Sequence, residues 1–204
     1  MGFIVVKYGL MVPDFRGTMS WLEQRYGGRR QLLTHVAAGI RLRAGGWRAE
    51  QNVNWSTVRR VVFICSGNIC RSPYAAERAR LLGIESASCG LAASMGAGAD
   101  PVAARNAAKR HVDLSSHRSR PYDGFDVVDG DLLVMFEPSQ VTTLNGRSAG
   151  AQVTLHGLWA LRPQPYIADP YGRSDSYFQH CFTLIDQGVA TIAERLTART
   201  AVAS

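Results

Sequence analysis

The run VVFIC at residues 61–65 constrains the fold more than any other stretch of the chain. It is short, wholly apolar and largely β-branched, the mark of a strand buried on both faces of a parallel sheet. The next residues, SGNICRSP, read as a loop, and Pro73 suits the first turn of a helix that YAAERARLL continues. A strand, a loop and a helix in this order form the opening unit of an α/β fold. Further strands are expected at Ile84–Cys89, Leu132–Phe136 and Gln152–Leu155, with helices at Asp100–His111 and Pro138–Leu144 between them. A last helix is expected over Ser176–Thr197, where Phe178, Phe182, Ile185, Val189, Ile192 and Leu196 make one stripe. The alternation predicts a three-layer sandwich around a four-stranded parallel sheet, with ligands at the carboxyl ends of the strands.

Charge divides the chain. Residues 1–60 hold ten Lys/Arg against three Asp/Glu, so the whole formal excess of +7 lies there. Within that part, apolar residues at helical spacing, interrupted by Gly27-Gly28 and closed by Gly45-Gly46, predict two basic helices. The stretch RAEQNVNWST then reads as a linker, giving a helical extension over 1–57 and an α/β domain over 58–204. Trp21, Leu22, Leu33, Val36 and Ile40 are too much apolar surface to leave in water, so docking on the α/β domain or on a twin chain, a homodimer, is expected. Contact of the basic helices with an anionic membrane is the less favoured alternative, and no nucleic acid partner is expected. Met1–Val12, the longest apolar run, is too short for a span and broken by Lys7, which points to a cytoplasmic protein. Four cysteines without regular spacing do not read as a disulfide framework.

The loop at 65–72 has its own chemistry. Asn68 can take a left-handed conformation and Gly67 eases the turn, so several backbone N–H groups can aim at one point and bind an anion. Arg71 adds a planar, bidentate partner for phosphate oxygens, and the helix N-terminus adds its field. A thiolate on Cys65 at the centre of such a nest is a nucleophile placed for attack on phosphorus. That reaction needs an acid for the departing oxygen, and Asp169, in the Pro-flanked stretch IADPYGRSDSYF, is the candidate.

Together, CSGNICRSP and DPY resemble the low-molecular-weight protein tyrosine phosphatase family, over about residue 60 to the C-terminus. The stretches KRHVDLSSHRSR and DLLVMFEPS are also similar to the family's middle. The resemblance implies a flavodoxin-like strand order and hydrolysis of phosphate monoesters through a phosphocysteine on Cys65, without cofactor or metal. Arg71 would bind phosphate and Asp169 would serve as acid and then base. Ser66, Gly67, Asn68, Ile69, Cys70, Arg71 and Ser72 would cradle the phosphate. Asn68, Ser72, Ser88 and His117 would brace the loop, and Ile69, Ser94 and Tyr171 would line the substrate cleft. The substrate would be a phosphorylated protein or a small phosphate ester. Cys70, five residues from Cys65, is a candidate resolving thiol for a reversible disulfide.

The chain departs from the family pattern in three places. Ser94 stands near the position where an aromatic wall is common, Gly172 follows Tyr171 in place of a second aromatic, and the basic extension has no counterpart. Arsenate reductase on the same fold is a competing reading, but residues 116–150 contain no cysteine to relay oxidation. Protein arginine phosphatase is another, against which stands Ile69 where those enzymes carry Thr. A phosphate-binding module without catalysis would be favoured had Cys65, Arg71 or Asp169 been replaced. His111, His156 and His180 show no metal-ligand spacing.

Overall fold

The structure is a computed structural model that describes the backbone at residues 3–5, 11–13, 15–144 and 146–202, and side chains within 21–198 apart from residue 145. Strands β3 (Arg60–Cys65), β4 (Ser86–Gly90), β5 (Asp131–Met135) and β6 (Gln152–Leu155) form one parallel sheet in the order β4-β3-β5-β6. This is the flavodoxin-like order that the resemblance implies. Before it lie an antiparallel ribbon of β1 (Phe3–Val5) and β2 (Met11–Pro13), then α1 (Phe15–Tyr26), α2 (Arg29–Arg43) and the short α3 (Arg48–Gln51). Helices α4 (Arg71–Leu81), α5 (Pro101–Ala108), α6 (Pro138–Leu144) and α7 (Asp175–Val202) complete the molecule. The strand pairing of Phe3–Val5 with Met11–Pro13 is not anticipated from the sequence, where the whole run reads only as an apolar stretch.

Central position explains composition. All five residues of VVFIC are buried because β3 pairs with β4 on one side and β5 on the other, with helices on both faces. On α7, Phe178, Phe182, Ile185, Val189 and Ile192 are fully buried, and the Phe182 ring stacks on Tyr74 of α4 with centroids 3.7 Å apart. A helix stripe of that length removes several hundred square ångströms of apolar surface from water, each buried side chain contributing about 1.5–3 kcal/mol. Gly188 sits within the helix for a packing reason: a Cβ there would stand 2.2 Å from Cε1 of His156, whose ring stacks on Phe136.

The linker expected over 48–57 is in fact packed structure. It carries α3 and a 3-10 turn at Trp55–Thr57, and it seals the open edge of β6. Thr154 donates its hydroxyl to the Glu50 carbonyl (2.5 Å), Gln152 exchanges bonds with Asn54 (2.6 and 3.0 Å), and Trp55 meets Trp159 edge-on at 4.9 Å. Trp47 and Val58 belong to the same core as the sheet. Covering an exposed edge in this way shields it from unwanted pairing.

Two basic helices do precede the sheet, broken at Gly27-Gly28, both at positive φ. Their docking follows a different face from the one expected. α1 packs on α7, and α2 turns Ala38 inward and Leu42 against the core. Trp21, Leu33, Val36 and Ile40 instead remain 54, 71, 48 and 62% exposed.

Candidate active site

The loop after β3 curls around a single sulfur. Asn68 takes φ 52°, the left-handed conformation, and so swings its own N–H onto Cys65 Sγ at 3.2 Å. Its side chain then ties the loop to three neighbours. Nδ2 donates to Ser72 Oγ (2.8 Å) and Ser88 Oγ (2.9 Å), while Oδ1 accepts from the Arg120 N–H (2.9 Å). His117 Nε2 bonds the Asn68 carbonyl at 2.7 Å, which requires the tautomer protonated on Nε2; burial holds its pKa below the usual histidine value. With Asn68 already donating to it, Ser72 has its own hydrogen free for Cys65 Sγ at 3.0 Å, closer than the Cys89 carbonyl at 3.4 Å. Two donors thus converge on the sulfur.

Backbone bonds hold the outside of the loop. Leu91 and Ala92 donate N–H to the carbonyls of Cys65 and Ser66, and Asp100 donates to that of Ile69, each at 2.9 Å. Gly90 must be glycine for this to happen, since a Cβ there would lie 2.6 Å from the Ser66 carbonyl oxygen and 2.8 Å from the Asn68 nitrogen.

Arg71 is fully buried and held by three oxygens. Nη1 donates to Glu137 Oε1 (2.5 Å) and to the Ile167 carbonyl (2.8 Å), and Nη2 lies 2.7 Å from Asp169 Oδ2 as an ion pair. Burial works against the charge, yet Asp169 and Glu137 outweigh it and raise the pKa above the ordinary arginine value. Nε has no hydrogen-bond acceptor despite complete burial, and Nη2 meets Asp169 as an ion pair outside hydrogen-bond geometry. These two donors form the edge of the guanidinium that matches two oxygens of one phosphate.

A cleft of roughly 230 Å³ opens above the sulfur, lined by Cys65, Ser66, Gly67, Ile69, Cys70, Ala92, Asp169 and Tyr171. Most of the residues expected at the site therefore meet here, with Asn68, Arg71, Ser72, Ser88 and His117 behind its walls. Ser94, expected as part of the cleft, does not line it. The tight turn after Gly90 brings Ala92 to the wall, and the Ser94 carbonyl is instead taken by the Ser119 hydroxyl at 2.5 Å. Cys70 is buried, and burial followed by the nearby Asp169 charge drives its thiol pKa far up. Cys65 and Cys70 both line the cleft, but a thiol kept protonated attacks an oxidised partner poorly, which weighs against the resolving role. Among the described residues no cluster could hold a metal ion, and no helix is long and apolar enough to cross a membrane.

A sequence model described as low molecular weight phosphotyrosine protein phosphatase matches residues 60–202. The chain belongs to this family. A relative from Ralstonia nicotianae, the probable low molecular weight protein-tyrosine-phosphatase EpsP, is 31% identical, covering 69% of this chain and 98% of its own. The tyrosine phosphatase Wzb from Escherichia coli K30, solved with sulphate, is 30% identical with a TM-score of 0.60, covering 68% of this chain and 99% of that one. The YwlE arginine phosphatase from Geobacillus stearothermophilus shares the fold at 21% identity and a TM-score of 0.63, covering 72% of this chain and 97% of that one. In this phosphatase residues 1–59 lie outside the family match.

Sequence reasoning does not single out Glu137, Gln140 or Gly90. Glu137 was legible in principle, as an acid just past the carboxyl end of β5 where such sheets bind ligands. Gln140 accepts the N–H groups of Phe136 (2.9 Å) and Glu137 (3.1 Å), and so orders the turn that presents Glu137 to Arg71. No pattern in the sequence marks it.

Proposed function

We propose that the protein hydrolyses phosphotyrosine in phosphorylated proteins, through a phosphocysteine on Cys65. The carrying observation is the sulfur itself, which receives the Asn68 N–H and faces the Ser72 hydroxyl at the base of a cleft that Asp169 borders. The thiolate forms a bond to phosphorus as the ester oxygen leaves with a proton from Asp169. Water then attacks phosphorus, Asp169 takes its proton, and the sulfur–phosphorus bond breaks to return thiolate and inorganic phosphate. An incoming phosphate dianion competes with Asp169 for Nη2 of Arg71. Its binding therefore frees the carboxyl group to meet the leaving oxygen. Ile69 and Tyr171 give the cleft apolar walls suited to an aryl ring, which favours a phosphotyrosine side chain over phosphoarginine.

Turnover of an aryl phosphate by wild type and Cys65→Ser, with and without a chelator, tests the reading. Cys65→Ser is expected to abolish hydrolysis while the chelator leaves the wild type unchanged. Turnover that persists in the variant, or fails on chelation, rules the mechanism out.

A further inference from the structure

Helix α2 is apolar on two opposite sides. One side packs inward through Ala38 and Leu42. On the other, Leu33, Val36 and Ile40 stand three and four residues apart, so they form a single stripe, and all three are exposed. Continuing the same steps along the helix reaches Arg29 at one end and Arg43 at the other. The helix contains no acidic residue. Across a groove of roughly 290 Å³ from Val36 and Ile40 lie Pro163 and Gln164, and the residues just before them, Leu161 and Arg162, are exposed as well.

We propose that this basic, apolar face docks the phosphatase onto an anionic lipid surface. An isologous pairing of two copies through the stripe would set arginine against arginine in either orientation, with no acid on the helix to compensate. A folded partner of defined shape would be recognised by directional polar groups as well. The stripe offers none: the nearby Thr34 hydroxyl is spent on the Arg30 carbonyl. Apolar side chains set between arginines are what a laterally uniform layer of negative headgroups over hydrocarbon accommodates, the arginines at the phosphates and the stripe just beneath. Arg30 and Arg41, exposed on the same helix, add to the positive field. Because Gln164 leads along the same loop to Asp169, a surface covering the stripe would flank the catalytic cleft.

Co-sedimentation of the full chain with vesicles decides the matter. Vesicles of phosphatidylcholine with roughly one-third phosphatidylglycerol should carry the protein down, those of phosphatidylcholine alone should not, and added salt should weaken the binding. The pairs Leu33→Gln/Ile40→Gln and Arg29→Gln/Arg43→Gln should each lower the bound fraction at least about fivefold, as loss of buried apolar area or of charge requires. Turnover of a small aryl phosphate should stay unchanged in both, which shows that they fold. Equal binding to neutral vesicles, no binding to anionic ones, or undiminished binding of both variants would overturn the proposal. So would a dimer in sedimentation equilibrium that the Leu33/Ile40 pair dissolves, which would assign the face to a second copy.

Discussion

Asn68 and Asp169 serve one cleft from two loops, yet Asn68 is fully buried and the Asp169 side chain is 43% exposed. The phosphate loop is closed upon itself, with every polar group of Asn68 paired and backbone bonds from residues 91, 92 and 100 fixing its outer side. The acid loop has a lighter internal frame, the Tyr171 N–H donating to Asp169 Oδ1 at 3.1 Å and the Arg173 N–H to the Pro170 carbonyl at 2.9 Å. It is anchored from outside just before Asp169, by Arg71 on the Ile167 carbonyl and by the Tyr177 hydroxyl donating to the Ala168 carbonyl at 3.4 Å. Behind it stand α1 and α2: the Tyr177 ring rests against Gly27, and a shallow pocket brings Arg25, Tyr26 and His35 against Tyr166 and Ala168. A group that must present fixed donors to a transition state is preorganised by its own loop. In the proposed mechanism Asp169 must first release Arg71 and then exchange a proton twice, which suits a group held from outside with freedom to shift.

The sharpest division between the loops lies in their dependence on the leaving group. Asp169→Asn should slow hydrolysis of phenyl or alkyl phosphates by roughly a hundred- to ten-thousand-fold, the usual range for general acid catalysis, and of an activated nitrophenyl phosphate far less. Steady-state kinetics across a leaving-group series measures this directly. A uniform loss across the series would move Asp169 out of the acid role and into simple positioning of Arg71.

Asn68→Ala should do the reverse and cost every substrate alike. Alanine at φ 52° is strained by about 1–2 kcal/mol, and the Arg120 N–H and two serine hydroxyls lose a partner worth about 1–3 kcal/mol each. If about 3 kcal/mol of this is felt in the transition state, kcat/KM falls on the order of a hundredfold at every leaving group. A loss confined to poor leaving groups would show that the two loops are not separable.

The contrast also explains what could be read without coordinates. The phosphate loop declares itself because its chemistry is local: Cys65, Asn68, Arg71 and Ser72 fall within eight positions, and the strand and helix around them follow from hydrophobic pattern. The sheet was legible for the same reason, with strand boundaries displaced by one or two residues at β4 and β5. What supports the acid loop is dispersed over Gly27, His35, Glu137 and Tyr177, residues that topology alone brings together. The inward side of α2 is not legible, because periodicity identifies a stripe but not which of two apolar sides faces inward. Distance along the chain from Ser88 points to Ser94, whereas the tight turn after Gly90 brings Ala92 to the cleft.

Support from outside should be measurable as a small, selective effect. Gly27 has φ 77°, and a Cβ there would sit 3.1 Å from Tyr177 Cζ, so Gly27→Ala pushes on the residue that holds Ala168. Tyr177→Phe removes the hydroxyl alone. Either change should lower kcat on phenyl phosphate by roughly three- to tenfold, well short of the hundredfold that a full 1 Å misplacement can cost, and leave an activated substrate almost untouched. Equal losses on both substrates would mean that α1 stabilises the whole domain instead of the acid loop.

The smallest expected effect concerns a residue beneath both loops. His156 stacks on Phe136, the ring over which the Arg71 guanidinium sits at 5.7 Å, and burial pushes its pKa down to about 3, with the Ile185 carbonyl opposing. The folded chain therefore keeps this ring neutral, whereas the unfolded chain protonates it near the ordinary 6.5. Between those two values the unfolded state binds the extra proton, so stability falls as pH falls, by about 2 kcal/mol from pH 7 to pH 5. Activity at pH 5 and 25 °C should persist, since Arg71 keeps its floor for as long as the domain stays folded. His156→Gln lacks the titrating ring, so its melting temperature, lower at pH 7, should change less between pH 7 and pH 5 than that of the wild type. Parallel curves for the two proteins would place the acid sensitivity elsewhere, with the lowered histidines His35 and His180 behind the acid loop as the next groups to replace.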